Sequence, residues 1–439
     1  MNEPAARLGP IYLAPGVTRK HVLCFLFASF VTIGLFTYLT LLTPYILNVN
    51  LGLAKDQQGQ VSGLLQFSQE IIILLCIGWW GAMSDRVGRR TVFIAGFAIL
   101  ALAFALYSFA TSVTELVGYR LIYGIGLAAA STMLATVLAD YPAERSRGTL
   151  IGFSFLLNGL GSVFFFVVLS RLPTLYAEQG ADELWSGRLA YLTVAGIALF
   201  AAFMMLGLKP GVTGKSTSKK PILQLLVEGL RAARNPRIAL AYGSAFAARA
   251  DLAMVTLFLS LWVVQQGNAA GLTPVQTAAA GGLAIGVSQG VATLFAPVLG
   301  ILSDKLNRVT VMIIAFGIAT VGYGWIGITD SFLTLGWNNL PALAILGMGL
   351  SGAILASTLL LGQEATVELR GSIFGVQAFC GALGILVISA GGGWLFDNIG
   401  PWVPFLAMAG CNGLIFLGSC AVRVTSPGTA PIGKLVVAH

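Results

Sequence analysis

Four charged residues lie inside long apolar runs of the sequence: Glu70, Arg120, Arg249 and Asp251. A lone charge at the middle of a bilayer span costs about 2.5–3.5 kcal/mol on insertion scales, so each one calls for a partner or a function. A carboxyl that alternates between a dry setting and one facing an arginine takes up and releases a proton, which makes Glu70 and Asp251 proton-coupling candidates. Arg249 is suited to hold an anionic or polar group of a solute, or to act as a switching counter-ion. The structural alternative is a set of fixed ion pairs that lock helices together, for example Glu70 with an arginine across a bundle. Glu70 completes a polar stripe, Ser62, Gln66, Gln69 and Glu70, at helical spacing, which presents Gln66 and Glu70 to a cavity. Tyr242, Arg249, Thr256 and Ser260 follow a seven-seven-four spacing on one helical face. Asp251 comes two residues after Arg249, so at about 100° per residue the two point about 160° apart and need separate partners. Arg120 lies about a turn from the end of its run and can snorkel to the interface.

The elements that must position these charges follow from composition. The chain has 439 residues, 57% of them hydrophobic and 10% charged, with a mean hydropathy of +0.87. Soluble domains carry about 25% charged residues, so a soluble enzyme, a secreted disulfide scaffold and a disordered tail are excluded. Five cysteines sit in apolar runs without a CxxC pair and read as small hydrophobes. Two histidines, His21 and His439, supply neither a proton relay nor a metal site, so no cofactor is expected. The first apolar run, from about Val22 to Leu47, is too long for a cleavable signal peptide. Each span needs about 20 apolar residues, and the runs give spans near 21–48, 58–82, 91–110, 115–140, 149–172, 188–208, 237–266, 276–301, 309–329, 340–363, 371–396 and 402–422. Most of the 25 Lys and Arg residues then fall on one side, leaving Lys55, Arg171 and Arg188 opposite. That bias places both termini in the cytoplasm of a bacterial inner membrane. One long polar interruption separates residues 1–208, an N-terminal six-helix bundle, from residues 237–439, a C-terminal one. Within it, residues 209–236 start flexible and basic and continue from Pro221 as a short surface helix.

Two motifs recur about half the chain apart. Gly81-Ala-Met-Ser-Asp85-Arg86-Val-Gly88-Arg89-Arg90 follows span two, and Gly300-Ile-Leu-Ser-Asp304-Lys305-Leu-Asn307-Arg308 follows span eight. Asp140-Tyr-Pro-Ala-Glu144-Arg-Ser-Arg147-Gly148 follows span four, and Glu364-Ala-Thr-Val-Glu368-Leu-Arg370-Gly371 follows span ten. Two independent motifs repeated at this separation indicate two homologous six-span halves. At these residues the sequence resembles the major facilitator superfamily of secondary transporters, whose G-x-x-x-D-R-x-G-R-R signature the first loop matches. Arg120-Leu-Ile-Tyr-Gly124-Ile-Gly126 is similar to that family's R-x-x-x-G-x-G segment, and this resemblance makes Arg120 a third proton-coupling candidate. Span five, with Asn158-Gly159-Leu-Gly161, departs from the glycine–proline signature of the drug–proton antiporter branch.

The fold expected is an all-α polytopic membrane protein with twelve transmembrane helices in two pseudo-symmetric six-helix bundles. Gly81 and Gly88 would permit close helix approach and a tight turn, and Asp85 would face the helix end near Gly371-Ser372. Arg89 and Arg90 can reach Asp140 or Glu144. The resemblance implies that Gly81, Asp85, Arg86, Gly88, Arg89, Arg90, Asp140 and Glu144, with Asp304, Arg308 and Glu364, form a cytoplasmic gate. In this architecture spans one, four, seven and ten line a central cavity, so Tyr38, Tyr123 and Trp262 join Arg249 and Gln66 as lining candidates. The expected function is proton-coupled movement of a small organic solute by alternating access. The alternatives are a proton-independent facilitator on the same fold and a membrane-embedded or lipid-modifying enzyme, the latter lacking an acidic or histidine cluster. The expected partners are a small-molecule substrate, protons and the lipid bilayer. No nucleic acid and no enzymatic activity are expected, and the chain should act as a monomer.

Overall fold

A computed structural model describes residues 7–143, 146–211, 222–329, 331–333, 339–365 and 370–426. A short hairpin, β1 (Arg7–Leu8) and β2 (Ile11–Tyr12), precedes a series of helices. The first half contains α1 (Arg19–Val49), α2 (Lys55–Val87), α3 (Arg89–Tyr107), α4 (Val113–Asp140), α5 (Arg147–Val167), α6 (Leu172–Glu178) and α7 (Glu183–Met204). After α8 (Ile222–Arg231) come α9 (Pro236–Met254), α10 (Ser260–Ala269), α11 (Pro274–Lys305), α12 (Arg308–Gly327), α13 (Leu340–Glu364), α14 (Arg370–Asn398) and α15 (Val403–Thr425). Among the described residues, twelve helical stretches are long and apolar enough to cross a membrane. Their ends agree with the sequence reading to within a turn or two. Span five runs on through α6, and span seven runs from α9 into α10 through a single π turn at Val255–Leu259.

The helix ends follow from local chemistry. Thr18 accepts from the His21 amide while His21 Nδ1 accepts from the Thr18 amide, a reciprocal cap that starts α1. Asp182 caps α7 and Asn235 caps α9, the latter with Pro236 at the first helical position. The two copies of the repeated loop turn by different means. Gly88 has φ +93°, and a Cβ there would stand 2.8 Å from the Gly211 carbonyl oxygen, so only glycine serves. Asn307 instead has ordinary extended backbone and caps α12 through the Val309 amide at 2.9 Å. At Gly81 the only neighbour of an added Cβ would be Thr132, at 3.9 Å, so the close approach expected there is not required.

The chain clusters into two compact units. Unit 1 comprises residues 1–54, 64–217 and 267–286, and unit 2 comprises 55–63, 218–266 and 287–439. In unit 1, α3 and α4 meet along a seam of small residues, where Gly96 faces Ala129 and Ala130, and Gly126 faces the Gly96 carbonyl. The same seam recurs in unit 2 between α12 and α13, with Gly322 against Leu346 and Gly349 against Ala319. Lipid tails are as apolar as leucine, so such close backbone packing is what holds membrane helices together. A helix, α8, forms in the linker after Pro221. Its second half is docked in unit 2, where Gly229 lies against Ser372 and Val376 of α14 and its carbonyl accepts from Tyr242 Oη at 2.9 Å. The basic stretch expected to precede it as a flexible segment lies outside the described residues.

Among the described glycines of unit 1, the closest helix approach is that of α5 on α1, where a Cβ on Gly161 would lie 1.6 Å from the Phe30 carbonyl oxygen. Gly161→Ala is therefore expected to destabilise the protein by about 1–3 kcal/mol, read as a lower Tm in detergent. Gly152→Ala, on the same helix with nothing within 4 Å, should leave Tm unchanged or raise it.

Candidate functional site

The repeated loop of unit 1 builds a charge cluster around Arg89. One terminal nitrogen of Arg89 lies 2.5 Å from Asp85 one turn back and also bonds Ser84 Oγ, while Nε reaches Asp140 at 3.3 Å. Asp85 and Arg89 are four residues apart across the α2–α3 turn, and Asp140 is the last residue of α4, so one guanidinium ties three helix ends together. Arg86 is exposed and Arg90 is half-buried. Glu144 and the side chain of Asp304 lie outside the described residues.

Unit 2 uses the corresponding positions differently. Arg308 donates to the Leu359 carbonyl of α13 at 2.5 Å, so it still joins spans nine and ten but meets a backbone oxygen rather than a carboxylate. Glu364 pairs instead with Arg237 at 2.5 Å and accepts from Asn235 at 3.2 Å. Arg237 also donates from Nε to the Ser426 carbonyl at 2.9 Å, binding the starts and ends of α9, α13 and α15. Arg237 and Asn235 were missed by the sequence reading, in which Arg237 counted only as inside charge. A proline-started helix facing an acidic helix end was the available signal.

Within unit 1, Arg120 is fully buried, which corrects the expectation that it snorkels. Its Nη2 donates to Thr40 Oγ1 of α1 at 2.7 Å and to Gln66 Oε1 of α2 at 2.9 Å, and its guanidinium lies 5.6 Å from the Tyr123 ring centroid. Nε and Nη1 meet no acceptor in hydrogen-bond geometry among the described residues. Glu70 is also buried, one helical turn beyond Gln66. The sequence-predicted Gln66 and Arg120 are therefore brought together at the junction of α1, α2 and α4, and Glu70 lies one turn along α2 from Gln66.

The aromatic lining candidates are corrected as well. Tyr38 is fully buried and donates to the Leu169 carbonyl at 3.0 Å. Tyr123 is fully buried with its hydroxyl on the carbonyls of Leu35 and Phe36. Trp262 packs between Phe332 and Phe405, with ring centroids at 5.1 and 5.4 Å. Assigning a span to a cavity does not say which of its faces is wet, and large aromatics fill bundle interiors when their polar tips find acceptors.

In span seven, Asp251 is buried in the packing of unit 2. Its Oδ1 accepts from Asn412 of α15 at 2.8 Å, and its backbone carbonyl accepts from Tyr323 of α12 at 2.8 Å. Arg249 is the exception on this helix. From Leu240 to Asn268 it is the only exposed residue, and its side-chain stem lies over Gly381 of α14. Tyr242, Thr256 and Ser260 are buried, and the π turn breaks the regular spacing between them, so the polar stripe read from the sequence is not one face.

A third cluster escaped the sequence reading. Asp397 near the end of α14 accepts from the amides of Gly59 and Gln60 in α2, at 2.9 and 2.7 Å, and Gln265 of α10 donates to the Lys55 carbonyl at 3.1 Å. A Cβ on Gly59 would stand 2.4 Å from the Asp397 carboxylate, so the glycine admits this contact.

The two ion-pair clusters invite a thermodynamic comparison. Double-mutant cycles on Arg89→Ala with Asp140→Asn, and on Arg237→Ala with Glu364→Gln, should both show non-additivity in thermal unfolding, within about 0.5–3 kcal/mol. The second coupling is expected to be larger, because its side chains are 8% and 14% exposed against 14% and 31% for the first.

Residues 24–389 match the family model of the Major Facilitator Superfamily. The magnetosome protein MamH of Paramagnetospirillum magneticum is 25% identical over 415 residues, which cover 92% of this chain and 92% of MamH. The magnetosome protein MamZ of Magnetospirillum gryphiswaldense is 24% identical over 377 residues, covering 83% of this chain. The chain spans 56% of the length of MamZ. The crystal structure of the nucleoside transporter NupG superposes with a TM-score of 0.72 at 17% identity, covering 91% of this chain and 98% of NupG. At that identity the likeness is one of fold. With twelve apolar spans, a duplicated loop signature and a family match over most of its length, the chain belongs to the Major Facilitator Superfamily.

Proposed function

We propose that this protein moves a small solute across the bacterial inner membrane by alternating access, driven by protons, with both termini in the cytoplasm and the chain acting as a monomer. The observation that carries the reading is Arg249. A guanidinium exposed at the middle of an otherwise buried span has no structural partner among the described residues and is costly to keep in a bilayer unless it meets water or a ligand. A permanent cation in that position recognises an anionic or strongly polar group of the solute.

The proton path is assigned to unit 1. Glu70 carries the proton and Arg120 of α4, which bonds Gln66 one turn along α2 from Glu70, is the counter-ion, with two nitrogens still able to take an acceptor. Asp251 becomes a packing residue in this reading, because Asn412 and Tyr323 hold it in the seam between α9, α12 and α15. The cluster around Arg89 latches the cytoplasmic ends of unit 1 during the cycle.

The test is flux in proteoliposomes under an imposed pH gradient, screened over anionic and polar metabolites. Glu70→Gln should abolish gradient-driven accumulation while leaving counterflow exchange intact, whereas Asp251→Asn should lower Tm and leave coupling in place. Accumulation by Glu70→Gln equal to the unmodified protein would remove the proton assignment and favour a facilitator. Arg249→Ala should weaken solute binding by about ten- to a hundredfold, the range of a lost charged hydrogen bond. Unchanged binding by that variant would remove the solute-anchoring role.

A further inference from the structure

The N-terminal hairpin is fastened to the loop after α4. Tyr12 donates its amide to Ser146 Oγ at 3.0 Å and accepts from the Ala143 amide at 2.8 Å, and Ala14 donates to the Tyr141 carbonyl at 2.9 Å. Ile11, Leu13 and Val17 are buried beneath it. The Tyr141 phenol, pushed up to about 12 by burial, stays protonated at physiological pH and accepts the Lys209 amide at 3.0 Å. Lys209 Nζ closes the strap on the Pro15 carbonyl at 3.1 Å. None of these contacts involves the solute or proton residues, so the hairpin has its own reason to be ordered.

The outer side of the hairpin forms a cleft of about 340 Å3 lined by Arg7, Leu8, Gly9 and Arg19. The two arginines come from different elements and are held together by one bond, Arg19 Nε to the Arg7 carbonyl at 2.8 Å. That bond leaves the terminal nitrogens of Arg19 and the whole guanidinium of Arg7 without an ion-pair partner among the described residues. The first turn of α1 contains no acidic residue, and Lys20 adds a third positive charge beside it. Like charges gathered in one cleft repel unless an anion joins them, and paired guanidinium forks match the oxygen geometry of a phosphate. The cleft also stands at the start of a membrane span, the level of lipid headgroups, where each basic residue adds attraction to an anionic leaflet.

We propose that this cleft binds a phosphate group, presented either by the headgroup of an anionic phospholipid or by a soluble phosphate compound. Binding there fastens the hairpin onto α1 and, through the strap, steadies the segment that follows Asp140 of the latch.

The experiment measures binding of short-chain phosphatidylglycerol and short-chain phosphatidylcholine to the full-length protein in neutral detergent, with inorganic phosphate as competitor. Phosphatidylglycerol should bind at least fivefold more tightly than phosphatidylcholine. Arg7→Gln with Arg19→Gln should remove that preference, as should the single charge reversal Arg7→Glu, which lies on the exposed hairpin and leaves the start of α1 intact. Arg231→Gln, an exposed arginine elsewhere, should keep the preference. Competition by millimolar phosphate identifies the phosphate group itself as the ligand, and a lipid preference that phosphate does not displace identifies the headgroup as its source. Phosphate binding that is lost in Arg7→Glu without any lipid preference identifies a soluble compound. The proposal is overturned if the unmodified protein shows neither the lipid preference nor phosphate binding, or if Arg7→Glu binds as the unmodified protein does.

Discussion

A guanidinium buried in hydrocarbon must be supplied with acceptors by whatever packs around it, and much of unit 1 is arranged to meet that demand for Arg120. Thr40 comes from α1 and Gln66 from α2, while the Tyr123 ring on the same helix lies beside the positive charge. Leaving a buried charge without its acceptors is strongly destabilising, so Arg120 ties these three helices together. Unit 2 solves the opposite problem at Asp251, where Asn412 of α15 donates to the carboxylate and Tyr323 of α12 donates to the backbone carbonyl. Each unit therefore carries one internal polar knot at which three helices converge. Arg249, two residues before Asp251, stays exposed on the same helix of unit 2.

The repeated loop shows how two halves of common design diverge without losing their joints. In the first half a glycine with positive φ turns the chain and Arg89 meets two carboxylates. In the second half an asparagine cap turns the chain, Arg308 meets a backbone carbonyl, and the acidic residue at the end of span ten is taken over by Arg237. Substituting Asn307 and Lys305 for the first-half residues looks like decay of a motif when only the letters are compared. Physically, the joint between spans nine and ten is retained and the ion pair has moved to the helix that begins the second half.

The number of spans and the duplication were legible because both depend on composition along the chain. Hydrocarbon demands unbroken apolar runs, and the loop motif recurs in readable form. What was not legible depends on rotation about a helix axis. Tyr38 and Tyr123 sit on the expected spans but turn their hydroxyls to backbone carbonyls, and a π turn shifts the register of span seven after Met254. The partners of Arg120 were visible only as scattered polar letters, Thr40 and Gln66, separated from it by long stretches of sequence. The hairpin at Arg7–Tyr12 gave no periodic signal at all, since two residues per strand are too few to show alternation.

The junction of Asp397 with α2 has a property that the knots at Arg120 and Asp251 lack. Gly59 and Gln60 are already inside a helix, whose own ladder offers carbonyls to their amides, and Asp397 is a short, half-exposed side chain near the last turn of α14. Parting the two would strand no main-chain group in a dry place, and water can rehydrate the released carboxylate. Such a clasp costs less to part than a buried charge, like a snap fastener rather than a weld.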